Sequence, residues 1–511
     1  MEFQVAKQAV FVGETVYSEN LEQAVDVDIS LPDYCPDISR ILKCRITPKI
    51  NSRTVSSGTL SIDGTAFILL LYVDGEKNEI RSYEHPVPFQ KEVNVGPKTE
   101  NGVISILTNV DYVNSRAVTQ RKVDVHGALG LQVAITSRRP VDIVSDVDGG
   151  GLETLGASLP ATTLISTGEK YLVLSDELEI ASGKQPIRSI LRSDARAILS
   201  DCKMISNKVI VKGEVLISSL YSGEEDGKLE TYENTLPYSQ VIDIDGIQED
   251  CSCSVHLEVV SLELRPRTNM NGESRTLGVS VKLLIIVKAY CSTEIPVLYD
   301  AYSTEYEMTL EKADIPLEKI VCDMSETYLC KKTLDMPESV LTSVIDLWCE
   351  TLVKTVRNEE NQLVIAGVVL LCILGKDAEG APVYHERAVD YEYQYGMSTT
   401  PRQMRCEPEV AAVAASYTFT GADQLEVRVE LSVSARVFEQ THALVLTELA
   451  LDESKPKAVS SAALYIYYAG PGENVWDIAR RYNTSVDEVV DVNHLSSHIL
   501  PEKTMLLIPA V

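Results

Sequence analysis

The chain is short of several things that would mark a familiar class. Of its 511 residues only 2 are Trp and 6 are Phe. No apolar run approaches the ~18 residues of a membrane-spanning helix; Val368-Val-Leu-Leu-Cys-Ile-Leu374 is strand-sized. The start, Met-Glu-Phe-Gln-Val-Ala-Lys, lacks a basic stretch followed by an apolar one, so no signal peptide is expected. Basic runs are missing too. Arg138-Arg139 and Lys331-Lys332 are mere pairs, against a net charge of −29 and a pI near 4.7. Such a chain repels nucleic-acid backbones and anionic membrane surfaces, and solubility accounts for its charge.

Chemical motifs are equally thin. There is no His-Glu-x-x-His and no Gly-x-Ser-x-Gly. Gly183-Lys184 is no phosphate loop, because Gln185 stands where Ser or Thr is needed and Leu178 where the first glycine belongs. The 7 histidines are scattered, and only His494 and His498 share helical spacing. Among 11 cysteines no C-x-x-C occurs; Cys251-x-Cys253 reads as structural thiols on a strand. Without an export signal, a reducing cytosol without disulfides is expected. No catalytic residue, metal site or cofactor is expected.

What the chain does have is a cassette written three times. Ile38-x-x-Ile41-Leu42 is followed 26 positions after Ile38 by Gly64, inside Leu60-Ser-Ile62-Asp-Gly64 and running on to Leu71-Tyr72. Ile187-x-x-Ile190-Leu191 leads at the same interval to Gly213, and Leu341-x-x-Val344-Ile345 to Gly367. Each glycine is followed by Tyr83-Glu84, Tyr232-Glu233 or His385-Glu386, then by a ring five residues beyond the Glu: Phe89, Tyr238, Tyr391. Five landmarks in three places make a triple repeat. The glycines, within strand patterns, read as bulges or close backbone approaches. No His or second acid keeps a fixed offset from the repeated Glu, so a solvated strand-end role is expected of it.

Copies about 150 residues apart are domain-sized, so the expectation is beads on a string. Apolar i, i+3, i+4 spacing after Pro36, Pro186 and Pro337 predicts one short helix per repeat. The rest reads as strand, notably the alternations Val123–Val133, Leu277–Leu283 and Leu425–Val433. Period two with one apolar face means antiparallel sheets covering a core on one side. The fold class is therefore mainly β: three repeated antiparallel-sheet domains, each with one short helix, and a small C-terminal βααβ domain. The expected spans are 1–145, 152–308 and 314–448 for the repeats, 449–462 for a linker and 463–511 for the tail. Asp146-Val-Asp148-Gly-Gly-Gly151 marks the first break; Ala157 stands where a calcium loop would need Glu. A second break is expected near Thr309–Pro316.

In the tail, Leu464-Tyr-Ile-Tyr-Tyr468 and Met505-Leu-Leu-Ile508 are β-rich, flanking two helical segments. Asn474 is placed to cap the first, with Asp477 three residues on, and Ser485-x-x-Glu488 has the form of a capping box for the second. Trp476, beside Ile478 and Ala479, reads as core. Tyr467, Gly472-Glu473-Asn474-Val475-Trp476-Asp477-Ile478-Ala479, Tyr482, Ser485-Val486, Asn493-x-Leu495 and Ile508-Pro509 resemble a LysM domain. The resemblance implies recognition of N-acetylglucosamine polymers by loops 472–475 and 495–499. It marks Gly472, Glu473, Asn474, Val475, Trp476, Asn493, Leu495, Ser496 and Ile499 as candidate partner- or glycan-binding residues. Glu473-Asn474 replaces the family's Asp-Thr, and Pro501-Glu502 its Pro-Gly.

Together, the repeats and tail resemble SipL-type spore-coat morphogenetic proteins, which join SPOCS domains to a C-terminal LysM. This implies a non-enzymatic adaptor in the mother-cell cytosol, at the forespore surface. Its partners would be a coat-basement ATPase (SpoIVA-like), bound by the tail, and other coat proteins, with no nucleic acid and no membrane insertion. The alternative is a peptidoglycan-binding cell-surface protein.

Overall fold

The computed structural model describes residues 4–100, 102–149, 151–225, 227–269, 272–336, 341–421, 423–458 and 462–509. The first repeat comprises strands β1 Gln4–Ser30, β2 Ile38–Ser56, β3 Thr59–Asp74, β4 Ile80–Asn94, β5 Val103–Thr119 and β6 Lys122–Asp148. The second has β7 Leu152–Glu179, β8 Ile187–Ile205, β9 Lys208–Gly223, β10 Leu229–Asp243, β11 Ser252–Arg267 and β12 Thr276–Ser303. The third has β13 Tyr306–Asp335, β14 Ser343–Glu359, β15 Gln362–Lys376, β16 Pro382–Gly396, β17 Met404–Phe419 and β18 Gln424–Pro456. The fold is mainly β, as the alternations require.

Each repeat makes two three-stranded antiparallel sheets. In the first they are ordered β1-β6-β5 and β2-β3-β4, and the other repeats follow the same plan. The two sheets share one core: Leu60, Ile62, Ile68 and Leu70 of β3 meet Val123, Val125, Leu129 and Leu131 of β6. The equivalent cores of the second and third repeats are built in the same way.

The cassette now has a physical explanation. Gly64, Gly213 and Gly367 all lie on the middle strand of the shorter sheet, opposite Phe89, Tyr238 and Tyr391 in register. The rings lie across the glycines: a Cβ at Gly64 would stand 2.2 Å from Phe89, and one at Gly213 2.0 Å from the Ile198 carbonyl. Each glycine also sits beside a bulge in the neighbouring strand, at Ile50/Ser52, Leu199/Asp201 and Val353/Thr355. The landmarks are therefore cross-strand partners.

The predicted short helices are absent from the described residues. Residues 38–42 and 187–191 are extended, at the starts of β2 and β8. Two bulges, at Ile38/Arg40 and Ile41/Lys43, each add a residue on the outer side. Ile38, Ile41, Cys44 and Ile46 thus join one core, and the bulges convert a period of two into the spacing that resembled a helix. β8 carries the same pair of bulges. In the third copy Pro337 lies outside the described residues, and the chain is already strand from Ser343.

Nor are the repeats beads on a string. Leu42, Leu191 and Ile345, at equivalent cassette positions, point away from their own cores into a common cluster with Leu71, Leu220, Leu374 and Trp348. The turn entering β4 meets β8 through an Arg188–Glu79 ion pair of 2.6 Å, and β16 meets β2 through Lys43–Glu386. Leu229 of the second repeat joins the third repeat's Trp348 and Ile345 in the shared cluster. The three shorter sheets therefore close around one axis. A charged layer lies beside the apolar one. Lys43, Arg192 and Asp346 occupy equivalent places, opposite Leu71, Leu220 and Leu374. Arg192 is buried, bonded to Asp346 at 2.8 Å and to Asp194, with its guanidinium 4.5 Å from the Trp348 ring. Arg45 completes the layer by bonding Asp194 at 2.6 Å and Glu350 at 3.1 Å.

The longest strands overrun their own sandwiches and pack together in a second shared core. It contains Val10, Val12, Ile143, Ala161, Ile295, Val297, Ile315, Leu317, Ala443 and Val445. Connections between repeats are short. β6 and β7 are separated by 149–151, of which Gly150 lies outside the described residues. The second break falls at Thr304-Glu305, because β13 runs straight through Thr309–Pro316. β18 continues to Pro456, so strand fills the first part of the expected linker; 459–461 lie outside the described residues.

Cysteine pairing also departs from expectation. Cys202 is joined to Cys253, and Cys251 to Cys291. The fold brings β8 against β11, and places Cys251 across from Cys291 at the end of the β11–β12 ladder; spacing along the sequence carries neither fact.

Candidate binding surface of the C-terminal domain

The tail is β19 Leu464–Ala469, α1 Val475–Tyr482, α2 Val486–Val492 and β20 Thr504–Pro509, with the two strands paired antiparallel. Asn474 caps α1 by accepting from the Trp476 N–H at 3.0 Å. Ser485 makes no such side-chain bond at α2; instead Glu488 accepts from the Thr484 hydroxyl at 3.3 Å. The capping box is therefore not closed. Val475, Ile478, Ala479, Val486, Val489, Leu500, Leu506 and Ile508 form the core.

The two loops expected to form a groove are laced to each other. The Gly472 N–H donates to the Leu500 carbonyl at 2.7 Å, Val475 N–H to His498 at 2.8 Å, and Leu500 N–H to Glu473 at 3.0 Å. Asn474 and Ile499 form a β-bridge. Glu473 is occupied internally: its carboxylate accepts from the Tyr467 hydroxyl at 3.0 Å and the Gly470 N–H at 2.9 Å. Asn493 holds the return strand, donating to the Leu507 carbonyl and accepting from the Leu507 N–H, both at 2.6 Å. Val475 is wholly buried and Leu495 packs against the core. Of the nine candidates, Gly472, Ser496 and Ile499 are exposed.

Trp476 is core, as its helix face suggested, and that core extends beyond the tail. Its ring meets Tyr302 of β12 edge-on at 4.9 Å, and its indole N–H donates to Asp300 at 3.2 Å. Arg480 pairs with the same carboxylate. The Tyr302 hydroxyl donates to the Thr484 carbonyl at 2.8 Å. Lys457 ties both sides together, donating to the Ser303 carbonyl and the Asn483 side chain, each at 2.7 Å. Nothing in the spacing of Asp300 or Tyr302 announces this joint.

Sequence reasoning also missed a surface. On the outer side of β19–β20, Leu464, Ile466, Tyr468 and Met505 are exposed by 43, 60, 66 and 52%, with Ile466 opposite Leu507 and Tyr468 opposite Met505. Leu464-Tyr-Ile-Tyr-Tyr468 is apolar on both faces of a strand, and that signal could have been read. Adjacent apolar side chains left in water mark an interaction face more often than single ones do.

The family model described as "SipL, SPOCS domain" matches residues 37–118 and 186–266, and the LysM domain model matches 467–509. The chain thus carries two segments similar to the SPOCS domain and a C-terminal segment similar to LysM, a domain type associated with peptidoglycan binding. The SPOCS matches fall on the first two copies, and the third shares their glycine–ring pair and bulge. No curated protein and no solved structure matches the chain. Among the described residues no helix is long and apolar enough to cross a membrane.

Proposed function

We propose that this chain is a non-enzymatic adaptor of spore-coat assembly, acting in the mother-cell cytosol at the forespore surface. Three repeat domains, β1–β6, β7–β12 and β13–β18, form its body. Its LysM tail binds a coat-basement morphogenetic ATPase, and the body gathers other coat proteins. The observation that carries this reading is the tail's division of labour. Its glycan-side loops bond each other through backbone groups and Glu473 is held by Tyr467 and Gly470, while an apolar sheet face stays open to water. Shallow sugar recognition needs free hydrogen-bonding groups, whereas a protein partner is anchored by apolar and aromatic side chains such as Ile466 and Tyr468. A standard interface buries ~800 Å² per partner, within the reach of one small domain. Among the candidate loop residues, the exposed Gly472, Ser496 and Ile499 add to the surface open to such a partner.

The second reading, peptidoglycan binding, is favoured by the LysM match itself. A pull-down from sporulating cells with the full chain separates the two. Recovery of the coat-basement ATPase, lost with Ile466→Asp, supports the adaptor. Retention on purified sacculi with no ATPase recovered supports the wall-binding reading.

A further inference from the structure

Four of the 11 cysteines converge on one end of the second repeat. Cys202 is on β8 of the shorter sheet, Cys253 on β11 of the longer one, and Cys251 immediately precedes β11. Cys291 lies on β12 next to the Ala289/Tyr290 bulge, where that strand leaves its own sandwich for the shared core. Cys202, Cys251 and Cys253 line one open cleft with Lys203, Asp323 and Arg436. Arg436, from the third repeat, donates to the Cys253 carbonyl at 2.7 Å, so the cluster sits where the second and third repeats touch.

The remaining thiols are placed differently. Burial pushes Cys44 and Cys372 up to about 11, and Cys349 and Cys406 up to about 12. They stay protonated and inert at neutral pH. At the cleft Cys202, Cys251 and Cys253 lie at an open surface among Lys203, Glu249, Asp323 and Arg436, where a small thiol or disulfide can approach them.

We propose that Cys202, Cys251, Cys253 and Cys291 form a reversible thiol–disulfide site that staples the second repeat. One bond, Cys202–Cys253, joins its two sheets, and the other, Cys251–Cys291, fixes the start of β11 to the bend of β12. Closure from the reduced state takes a low-molecular-weight disulfide as oxidant. A cysteine thiolate attacks it, forming a mixed disulfide and releasing one thiolate. The partner cysteine then displaces the second. Each pair of protein thiols gives up two electrons and two protons as its disulfide forms, four of each for the site, and two molecules of the small disulfide are reduced to four thiols. A dithiol reverses both bonds and leaves as its own disulfide. Because Cys251 and Cys253 are two residues apart in the chain, a thiolate freed in one pair lies next to the other bond, which lets the two exchange. The site is independent of what the tail binds.

The test uses the full chain, purified reduced and then incubated with oxidised glutathione. After denaturation without reductant, iodoacetamide should label seven cysteines, and peptide mapping should recover Cys202–Cys253 and Cys251–Cys291. Dithiothreitol should restore labelling of all four and lower the melting temperature by about 3–8 °C. Cys202→Ser together with Cys291→Ser should show no redox-dependent shift. Glutathione adducts without protein disulfides would overturn the proposal. So would one zinc ion per chain held by the four thiols, since that would make the cluster a metal site.

Discussion

The repeat body and the tail are both β-based, yet they bury their strands to different extents. Middle strands of the body are covered on both sides: Leu70 faces its own sandwich while Leu71 faces the axis shared by three repeats. Strands of the tail are covered on one side only, by α1 and α2, and even that core borrows Tyr302 from the second repeat. The body also leaves apolar side chains in water, such as Leu107 and Tyr112 on β5, but the tail's open strands are the smallest unit with a whole uncovered sheet face. That contrast is why partner binding is proposed for the tail.

The largest expected effect comes from breaking the axis of the body. Asp346→Ala removes one of the two carboxylates that hold buried Arg192. A buried charge deprived of a partner costs about 3–5 kcal/mol, read as a lower denaturant midpoint at unchanged slope; a loss under 1 kcal/mol would mean that the axis is hydrated. Trp476→Ala should remove about 3 kcal/mol or more from the tail while leaving the body intact. Calorimetry would then show the tail melting separately and earlier, and a single unchanged transition would contradict the joint. Tyr302→Phe keeps the ring and loses only the hydroxyl bond to Thr484, about 1 kcal/mol. Its signature is faster proteolysis between Pro456 and Leu464 with the melting of the body unchanged.

The smallest effect concerns acid. Burial disfavours the Glu386 carboxylate, but bonds from Lys43 and Tyr384 outweigh it and hold its pKa below the ordinary range. Its contribution is therefore complete above the unfolded value of about 4.3 and lost as pH falls through the lower folded one. Glu386→Gln should flatten the decline in stability between about pH 5 and about pH 3. An acid limb identical to that of the wild type would remove this pair from the account.

Much of this architecture is legible in the amino-acid sequence. The sheets are readable because alternation such as Leu425–Val433 exposes one apolar face per strand, and the tail because its caps and apolar positions follow a dense local pattern. The triple repeat is visible, but its landmarks look like separate features; only the register shows that Gly64 and Phe89 are one contact. The helix expected at Ile38–Leu42 fails because bulges imitate helical spacing. Closure of the repeats is hidden for a different reason. Runs such as Leu69-Leu-Leu-Tyr72 and Val368–Leu374 are what a strand buried on both faces looks like, yet nothing in a run says whether the second cover comes from its own repeat or another. The candidate loop residues follow from pattern, while the open sheet face and the Asp300–Tyr302 joint depend on tertiary contacts.

The most direct test of the central claim is a calorimetric titration of the full chain with the coat-basement ATPase, set beside a titration with soluble N-acetylglucosamine oligomers. The account predicts saturable binding of the ATPase, weakened at least tenfold by Ile466→Asp without a change in melting temperature, and no binding of the oligomers at micromolar concentration. Tight oligomer binding with no measurable affinity for the ATPase would contradict it.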